Sequence, residues 1–397
     1  MKKWIDIIAS RVLTVSGFTT SIVILLIIGF LFKEAGGLFS NPIIQEGYVL
    51  ALNKSNKVSE LSALQIKDLF DEEITNWSEV GGADVPVKVL RLGDLDKLYT
   101  EEELGDEYQY AGDKIAEQIN ADPGVVAFIP KSLIEGRQDI STIDDRTIPL
   151  KDVLFGVEWY PTATPSPIFG IVPLIAGTLW VSFFAILFAL PFGLAISIYL
   201  AEVANPRVRQ FMKPVIELLN GIPSVVYGFF GLAVIVPMLQ DTFNLPVGES
   251  GLAGSLVLAI MALPTIITVA EDAMRSCPRS MREASLALGA THWQTIYKVV
   301  IPNSVSGITS GVVLGIGRAI GETMAVLMVT GNAAIIPTSI LEPLRTIPAT
   351  IAAELGEAPA GGAHYQSLFL LGVILFFITL IINSCVELVS ARNKTRR

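Results

Sequence analysis

The sequence predicts an all-α polytopic membrane protein with six transmembrane helices and an α/β segment inserted between the first and second of them. Two observations predict the membrane fold. The mean hydropathy of the 397 residues is +0.57 with only 17% charged residues, and long uncharged apolar runs recur along the chain. A third observation predicts the insertion, because residues 41–155 replace such runs with the short strand and helix patterns of a soluble fold.

Each apolar run is long enough to cross a bilayer, since a helix needs about 20 residues to span the hydrocarbon core. The first run follows Lys2 and Lys3, as the core of a cleaved signal peptide would. Its length, and Lys33 and Glu34 in place of a small-residue cleavage site, favour a retained anchor instead. The six predicted spans are 12–32, 168–200, 218–240, 252–270, 304–329 and 367–386.

Basic residues are concentrated at both chain ends and in the loops that follow the second and fourth spans, whereas the alternate loops lack such clusters. Positively charged loops remain in the cytoplasm, so we expect both termini and the loop between the fourth and fifth spans to be cytoplasmic. The residues that support this orientation are Lys2, Lys3, Arg11, Arg207, Arg209, Lys213, Arg275, Arg279, Arg282, Lys298, Arg392, Lys394, Arg396 and Arg397.

The predicted insertion, residues 41–155, separates an N-terminal transmembrane helix in 1–40 from a membrane core in 156–397 that holds the other five spans. It lies outside the cytoplasm in this orientation and is acidic: residues 33–160 contain 25 Asp and Glu against 12 Lys and Arg, while the whole chain has a net charge of −10. The expected strands are 48–53, 85–90 and 125–129, and the expected helices are 63–70 and 112–119.

Three stretches of the insertion resemble periplasmic phosphate-binding proteins: residues 61–70 (LSALQIKDLF), 74–82 (ITNWSEVGG) and 122–132 (DPGVVAFIPKS). The Ser-Gly-Thr turn that holds phosphate in that family is missing here. Asp94 and Asp96 stand in the corresponding region, where carboxylates repel an anion. We therefore expect a degenerate fragment that serves as a scaffold or docking surface, and the alternative is a phosphate site of its own.

The loop between the fourth and fifth spans contains Glu283, Ala284 and Ser285, then Gly289, and then Pro302. Helix formers on both sides of the glycine predict a short helix–turn–helix whose second helix is stopped by the proline. The pattern resembles the coupling loop of binding-protein-dependent ABC importer permeases, with two departures, Ser for Ala and Ile for Leu. The resemblance implies contact with an ATPase, and the alternative is an ordinary amphipathic loop.

The fifth span contains Arg318 and Glu322, which lie four residues apart and would share one face of a helix near the middle of the span. A charge at this depth is costly and normally faces a partner or an aqueous path. Two interpretations stay open. Either the two charges neutralise each other, or Arg318 binds a passing anion while Glu322, beside Thr323, orients or releases it.

Two further features concern the helices themselves. Gly307, Gly311 and Gly315 recur every four residues and predict a smooth face for close helix packing. Pro223 lies inside the predicted third span, where the loss of a backbone hydrogen bond predicts a kink or local unwinding.

Residues 169–173, 217–228 and 317–329 together resemble the PstC-type permeases of phosphate ABC transporters, closely over 156–397 and loosely over 1–40. The resemblance implies a type I (MetI-like) importer permease in a bacterial inner membrane, with the Arg-x-x-x-Glu pair in the translocation path. It also implies four partners: a PstA-type second permease as heterodimer partner, a PstB-type ATPase dimer, a PstS-type phosphate-binding protein, and phosphate itself.

The sequence contains no Gly-Lys dipeptide and hence no Walker A phosphate loop, so we expect ATP hydrolysis by a separate chain and no cofactor here. His292 and His364 fall on opposite sides of the predicted membrane, which argues against a histidine metal site. Nothing supports nucleic-acid binding. Two alternative functions stay open: a permease for sulfate or molybdate, and a membrane-anchored sensor, which we expect less because about eleven residues follow Val386.

Overall fold

The computed structural model describes residues 2–105, 108–143 and 146–395. Arg396 and Arg397, predicted to be cytoplasmic charges, lie outside the described residues. Within the described ranges, six helices are long and apolar enough to cross a membrane, which confirms the predicted membrane fold. The chain divides into two compact units.

The first unit comprises residues 1–171 and 359–367. It begins with the long helix α1 (Lys2–Gly37) and continues into a four-stranded sheet in the order β2-β3-β1-β4. Strands β2 and β3 are parallel, and the other neighbouring strands are antiparallel. The strands are β1 (Tyr48–Asn53), β2 (Lys88–Arg91), β3 (Val125–Pro130) and β4 (Ile140–Ile143). The helices are α2 (Ala63–Phe70), α3 (Leu95–Leu98), α4 (Glu101–Leu104), α5 (Ala111–Ala121) and α6 (Leu150–Phe155).

The core of this sheet explains why the expected strands and helices of the insertion form. The apolar residues of β1 are buried, and Ile115 and Ile119, four residues apart on α5, belong to the cluster that covers the strand. Ser62 caps α2 by accepting a hydrogen bond of 3.2 Å from the backbone of Gln65. The Trp77 indole N–H donates 2.9 Å to the Gly124 carbonyl, so this buried ring keeps its polar atom satisfied.

A two-stranded ribbon, β5 (Trp159–Tyr160) and β6 (Ile168–Phe169), ends the first unit. The second span was predicted to begin at residue 168, and this boundary is wrong because residues 168 and 169 pair with β5. The transmembrane helix begins at Val172. Lys67 of α2 lies 3.6 Å from Glu158, just before β5, and this ion pair ties α2 to the ribbon.

The second unit comprises residues 172–358 and 368–397. Its centre is built from α7 (Val172–Ile198), α11 (Gly251–Arg275) and α14 (Ile301–Gly321), which pack through small and aliphatic side chains such as Val181 and Val257. The remaining helices are α8 (Pro206–Asn220), α9 (Ser224–Phe230), α10 (Val236–Phe243), α12 (Arg279–Ala287), α13 (His292–Thr295), α15 (Met324–Val329), α16 (Ile347–Glu354) and α17 (Ala363–Thr395), whose first turns belong to the first unit.

The prediction that Pro302 stops a helix is wrong. A π-helical turn, Ile296–Val300, joins α13 to α14, so the segment His292–Gly321 runs as one helical stretch. Pro302 lies in the first turn of α14. A proline ring crowds the carbonyl four residues before it, here that of Lys298, and the π-turn widens the backbone at that place. A second π-turn, Tyr199–Val203, ends α7.

The three spaced glycines of α14 face α11 at close range. A Cβ atom on Gly315 would lie 2.9 Å from Ile266 Cγ1, and one on Gly311 would lie 3.1 Å from Val269 Cβ. A Cβ atom on Gly307 would overlap that of Ala273. The absence of side chains therefore lets the two helices approach along the whole glycine face.

Ion pairs fix α8 against α11. Arg209 Nε lies 2.6 Å from the buried carboxylate of Glu271, and Lys213 Nζ lies 2.9 Å from Asp272. The hydrogen bond to Asp272 raises the pKa of Lys213 above its usual value. These contacts fasten the first two turns of α8, the helix that ends at Asn220.

Candidate translocation and coupling sites

Two of the predicted spans, the third and the fifth, contain a break in the helical backbone. Helix α8 ends at Asn220, and α9 begins at Ser224 after the non-helical residues Gly221, Ile222 and Pro223. Pro223 therefore lies at a break between two helices, and the third span begins at residue 224 rather than at 218. The Tyr227 hydroxyl donates 2.8 Å back to the Leu219 carbonyl, across the break.

The second interruption separates α14 from α15. Helix α14 ends at Gly321, Glu322 has an extended backbone (φ −72°, ψ 134°), and α15 begins at Met324. Helix α15 packs tightly on α9, since a Cβ atom on Gly228 would lie 2.9 Å from the Cα of Ala325. This packing, together with the low helix propensity of glycine at the end of α14, accounts for the break.

The break separates Arg318 from Glu322, so the prediction that they share one helical face is wrong. Arg318 lies in the last turn of α14, half-buried, and its Nη1 donates to Oδ1 of Asn220 on α8. The described residues contain no ion pair between Arg318 and Glu322. Glu322 Oε1 instead accepts a 3.5 Å hydrogen bond from the backbone of Ala325, and the Thr323 hydroxyl donates 3.3 Å to the Gly321 carbonyl.

This arrangement brings together a guanidinium, a carboxamide and two stretches of non-helical backbone. A guanidinium offers a planar fork of N–H donors that matches an oxyanion. Non-helical backbone at membrane depth is tolerated where it is buried in protein or beside a water-filled cavity. The Arg318–Asn220 contact therefore has the chemistry to bind an anion, and Glu322 and Thr323 follow on the non-helical backbone after α14.

Sequence reasoning missed Asn220. It lies 98 residues from Arg318, and an asparagine before Gly-Ile-Pro looks like any helix-ending polar residue. Its polar side chain inside a predicted apolar span was the signal that could have drawn attention to it.

The helix–turn–helix predicted between the fourth and fifth spans is formed by α12 and α13. Gly289 has φ +82°, the left-handed conformation that favours glycine after a helix. Thr291 starts α13 with a capping box to Gln294. The Ser285 and Thr295 hydroxyls lie 2.9 Å apart and join the two helices. Glu283 and Ala284 are exposed.

Several large apolar side chains are exposed on this helix pair and next to it, although α12 also carries the charged residues Arg279, Arg282 and Glu283. No residue of α12 is buried, and Leu288 is 89% exposed. Contiguous exposed apolar side chains generally mark a surface that a partner covers. The other large apolar side chains exposed here are Met281, Leu286, Trp293 and Tyr297.

One ion pair fastens α12 to the helices at the centre of the unit. Arg282 Nη1 lies 2.9 Å from Glu202 in the π-turn that ends α7, and Arg282 Nη2 donates 2.7 Å to the Met274 carbonyl of α11. The Glu202 side chain is only 5% exposed. The sequence did not single out this pair, whose members lie 80 residues apart.

In the first unit, the carboxylate of Asp94 accepts hydrogen bonds from the region that follows β2. Asp94 Oδ2 accepts 3.1 Å from the backbone N–H of Arg91, and Asp94 Oδ1 accepts 2.9 Å from Lys97. The hydrogen bond from Lys97, followed by that from Arg91, lowers the pKa of Asp94. Asp96 accepts 2.7 Å from the Tyr108 hydroxyl. Two donors that could serve a bound anion are thus engaged by a carboxylate of the chain.

Two family models match separate parts of the chain. Residues 189–395 match the family described as the inner membrane component of binding-protein-dependent transport systems. Residues 29–160 match the PBP superfamily domain.

Among the relatives, the probable ABC transporter permease protein YqgH of Bacillus subtilis is 40% identical over 61% of this chain and 78% of its own length. The phosphate transport system permease protein PstC of Mesorhizobium japonicum is 39% identical over 57% of this chain and 76% of its own length. A chain in an inward-facing structure of the MetNI methionine ABC transporter is 19% identical, with a TM-score of 0.45. The match covers 56% of this chain and 95% of that one. This chain belongs to the family of inner membrane components of binding-protein-dependent transport systems.

Proposed function

We propose that this chain is one permease subunit of an ATP-driven phosphate importer and forms half of its transmembrane pathway. The observation that carries the proposal is Arg318, a half-buried cation placed where two helices are interrupted. The similarity to permeases named for phosphate transport supports phosphate as the anion.

Arg318 is the anion contact in this proposal. Arg318 lies in the last turn of the helix that forms the fifth span, and a charge inside a span normally faces a partner or an aqueous path. Its hydrogen-bond partner in the described structure is the uncharged Asn220, so its full positive charge remains for a ligand. Glu322 and Thr323, on the adjacent non-helical backbone, line the same path and orient or release the anion.

The α12–α13 surface binds the ATPase in this proposal. Glu283, Ala284, Ser285 and Gly289 shape the docking helix and turn, and Pro302 lies in the first turn of the helix that continues to Arg318. A PstB-type ATPase dimer hydrolyses ATP, and a PstA-type permease supplies the other half of the pathway. Closure of the ATPase dimer moves α12, and the helices fastened to it then change between outward- and inward-facing states.

The orientation that fits this role has both termini and α12 in the cytoplasm. The insertion then lies on the outer side of the bacterial inner membrane, where a PstS-type binding protein delivers phosphate. The cationic loops after the second and fourth spans support this orientation.

One reconstitution experiment tests the function and the orientation together. The complete transporter is placed in proteoliposomes with ATP in the lumen and phosphate-loaded binding protein outside, and radiolabelled phosphate uptake is followed. We expect ATP-dependent uptake that a tenfold excess of sulfate or molybdate, added with the binding protein, does not reduce. Uptake of sulfate or molybdate in place of phosphate would reject the substrate, and uptake only with ATP outside would reject the orientation.

The insertion acts as a scaffold or docking surface rather than as a phosphate site. Asp94 already occupies the Arg91 and Lys97 donors, and the sheet supplies one lobe only. Calorimetry of isolated residues 41–155, with circular dichroism to check folding, should detect no phosphate binding. Micromolar affinity of the folded segment would contradict the scaffold proposal.

A further inference from the structure

We propose that Asn220 is a second anion-contacting residue of the translocation path, which holds Arg318 when the site is empty and donates to the anion when it is filled. The proposal rests on the proposed function for the identity of the anion. It adds a residue outside the helix that carries Arg318, at the end of α8.

The contact between Asn220 and Arg318 leaves hydrogen-bond donors free on both side chains. Oδ1 of Asn220 accepts from Arg318 Nη1, which leaves both N–H groups of the same carboxamide as donors beside the guanidinium. An oxyanion that binds the guanidinium therefore meets amide donors at its side. A neutral carboxamide also positions the guanidinium without cancelling its charge, whereas a carboxylate at this place would neutralise it.

The contact is not enclosed by the core of the second unit. Asn220 is exposed and Arg318 is half-buried within that unit. The guanidinium has five N–H donors, and one contact with Asn220 leaves the others for the ligand.

Asn220 lies between a helix that is fastened to the centre of the unit and a helix interruption. Arg209 and Lys213 fasten α8 to Glu271 and Asp272 of α11. The residues that follow Asn220 are non-helical up to Ser224. The Arg318–Asn220 hydrogen bond thus joins the two helix interruptions, and an anion that takes over the guanidinium separates them.

The test compares Asn220→Asp and Asn220→Ala in the reconstituted complex at saturating loaded binding protein. The aspartate keeps the shape but adds a charge that pairs with Arg318 and repels the anion, and we expect uptake to fall by more than about tenfold. The alanine removes one donor to a charged ligand, and we expect a fall of up to about tenfold. Asn244→Asp is the matched control, because Asn244 is an exposed residue with φ +51° at the end of α10, where aspartate is also tolerated.

Assembly and ATPase activity stimulated by the binding protein are measured on the same samples. The proposal predicts normal assembly in both Asn220 variants, with uptake lost relative to the Asn244→Asp control. Uptake equal to the control in Asn220→Asp, or faster than wild type in Asn220→Ala, would overturn it. If the wild-type complex transports a different oxyanion, phosphate is rejected as the substrate. The Asn220 variants and the control, measured with that oxyanion, then still decide the role of Asn220.

Discussion

Replacing Arg318 by glutamine is expected to reduce phosphate uptake by about 100-fold or more while the complex still assembles. Glutamine can keep a hydrogen bond to Asn220 but loses the charge that attracts the anion, and removing one partner of a poorly solvated charged contact typically costs 2–5 kcal/mol, or roughly 30- to 5,000-fold. The measurement is ATP-dependent uptake in proteoliposomes, with the subunit stoichiometry of the purified complex determined in parallel.

Two further variants test whether uptake depends on the planar guanidinium of Arg318 rather than on positive charge in general. Arg318→Lys keeps the charge as a point donor, and we expect an intermediate rate because the bidentate geometry is lost. Arg207→Gln removes an exposed cation from the start of α8 and should leave uptake unchanged. Wild-type uptake in Arg318→Gln would show that Arg318 is not in the translocation path.

Breaking the Arg282–Glu202 pair is expected to uncouple ATP hydrolysis from transport. Arg282→Gln leaves the buried Glu202 carboxylate without its cation, a change that costs about 3–5 kcal/mol for buried pairs, and it releases α12 from both α7 and α11. We expect uptake per ATP hydrolysed to fall at least about tenfold, since motion of α12 no longer reaches the central helices. Uptake and ATPase rates are measured on the same proteoliposomes.

A double variant shows whether the Arg282–Glu202 pair transmits motion or only stabilises the fold. Arg282→Gln with Glu202→Gln removes both charges, so the amount of assembled complex should recover compared with Arg282→Gln alone, while coupling stays low. Arg279→Gln removes an exposed charge from the same helix and serves as the control. Normal coupling in the double variant would show that the pair stabilises the fold without transmitting motion.

Much of the architecture was predictable because it depends on local composition. Apolar runs of sufficient length predicted six spans, and the sheet of the insertion follows from its short β-branched and aliphatic strands. The turn at Gly289 was predictable for a similar reason, since a glycine between two helix-forming segments favours the left-handed conformation that ends a helix.

The errors share one physical cause. Residues 304–329 are apolar apart from Arg318 and Glu322, so composition alone extends the helix through Glu322, and whether it continues depends on the packing of α15 against α9. Pro302 was expected to end a helix because proline lacks a backbone N–H and its ring crowds the preceding turn. A π-turn before it keeps the segment helical. In both places the tertiary context overrides local propensity.

The sequence by itself therefore determined the membrane class, the number of spans, the acidic α/β insertion, the helix–turn–helix between the fourth and fifth spans and the presence of a cation inside the fifth span. Only the tertiary structure decided which groups meet: Arg318 with Asn220 rather than with Glu322, and Arg282 with Glu202. The reason is that composition and spacing act over a few residues, whereas these contacts join residues 98 and 80 positions apart and depend on how whole helices pack.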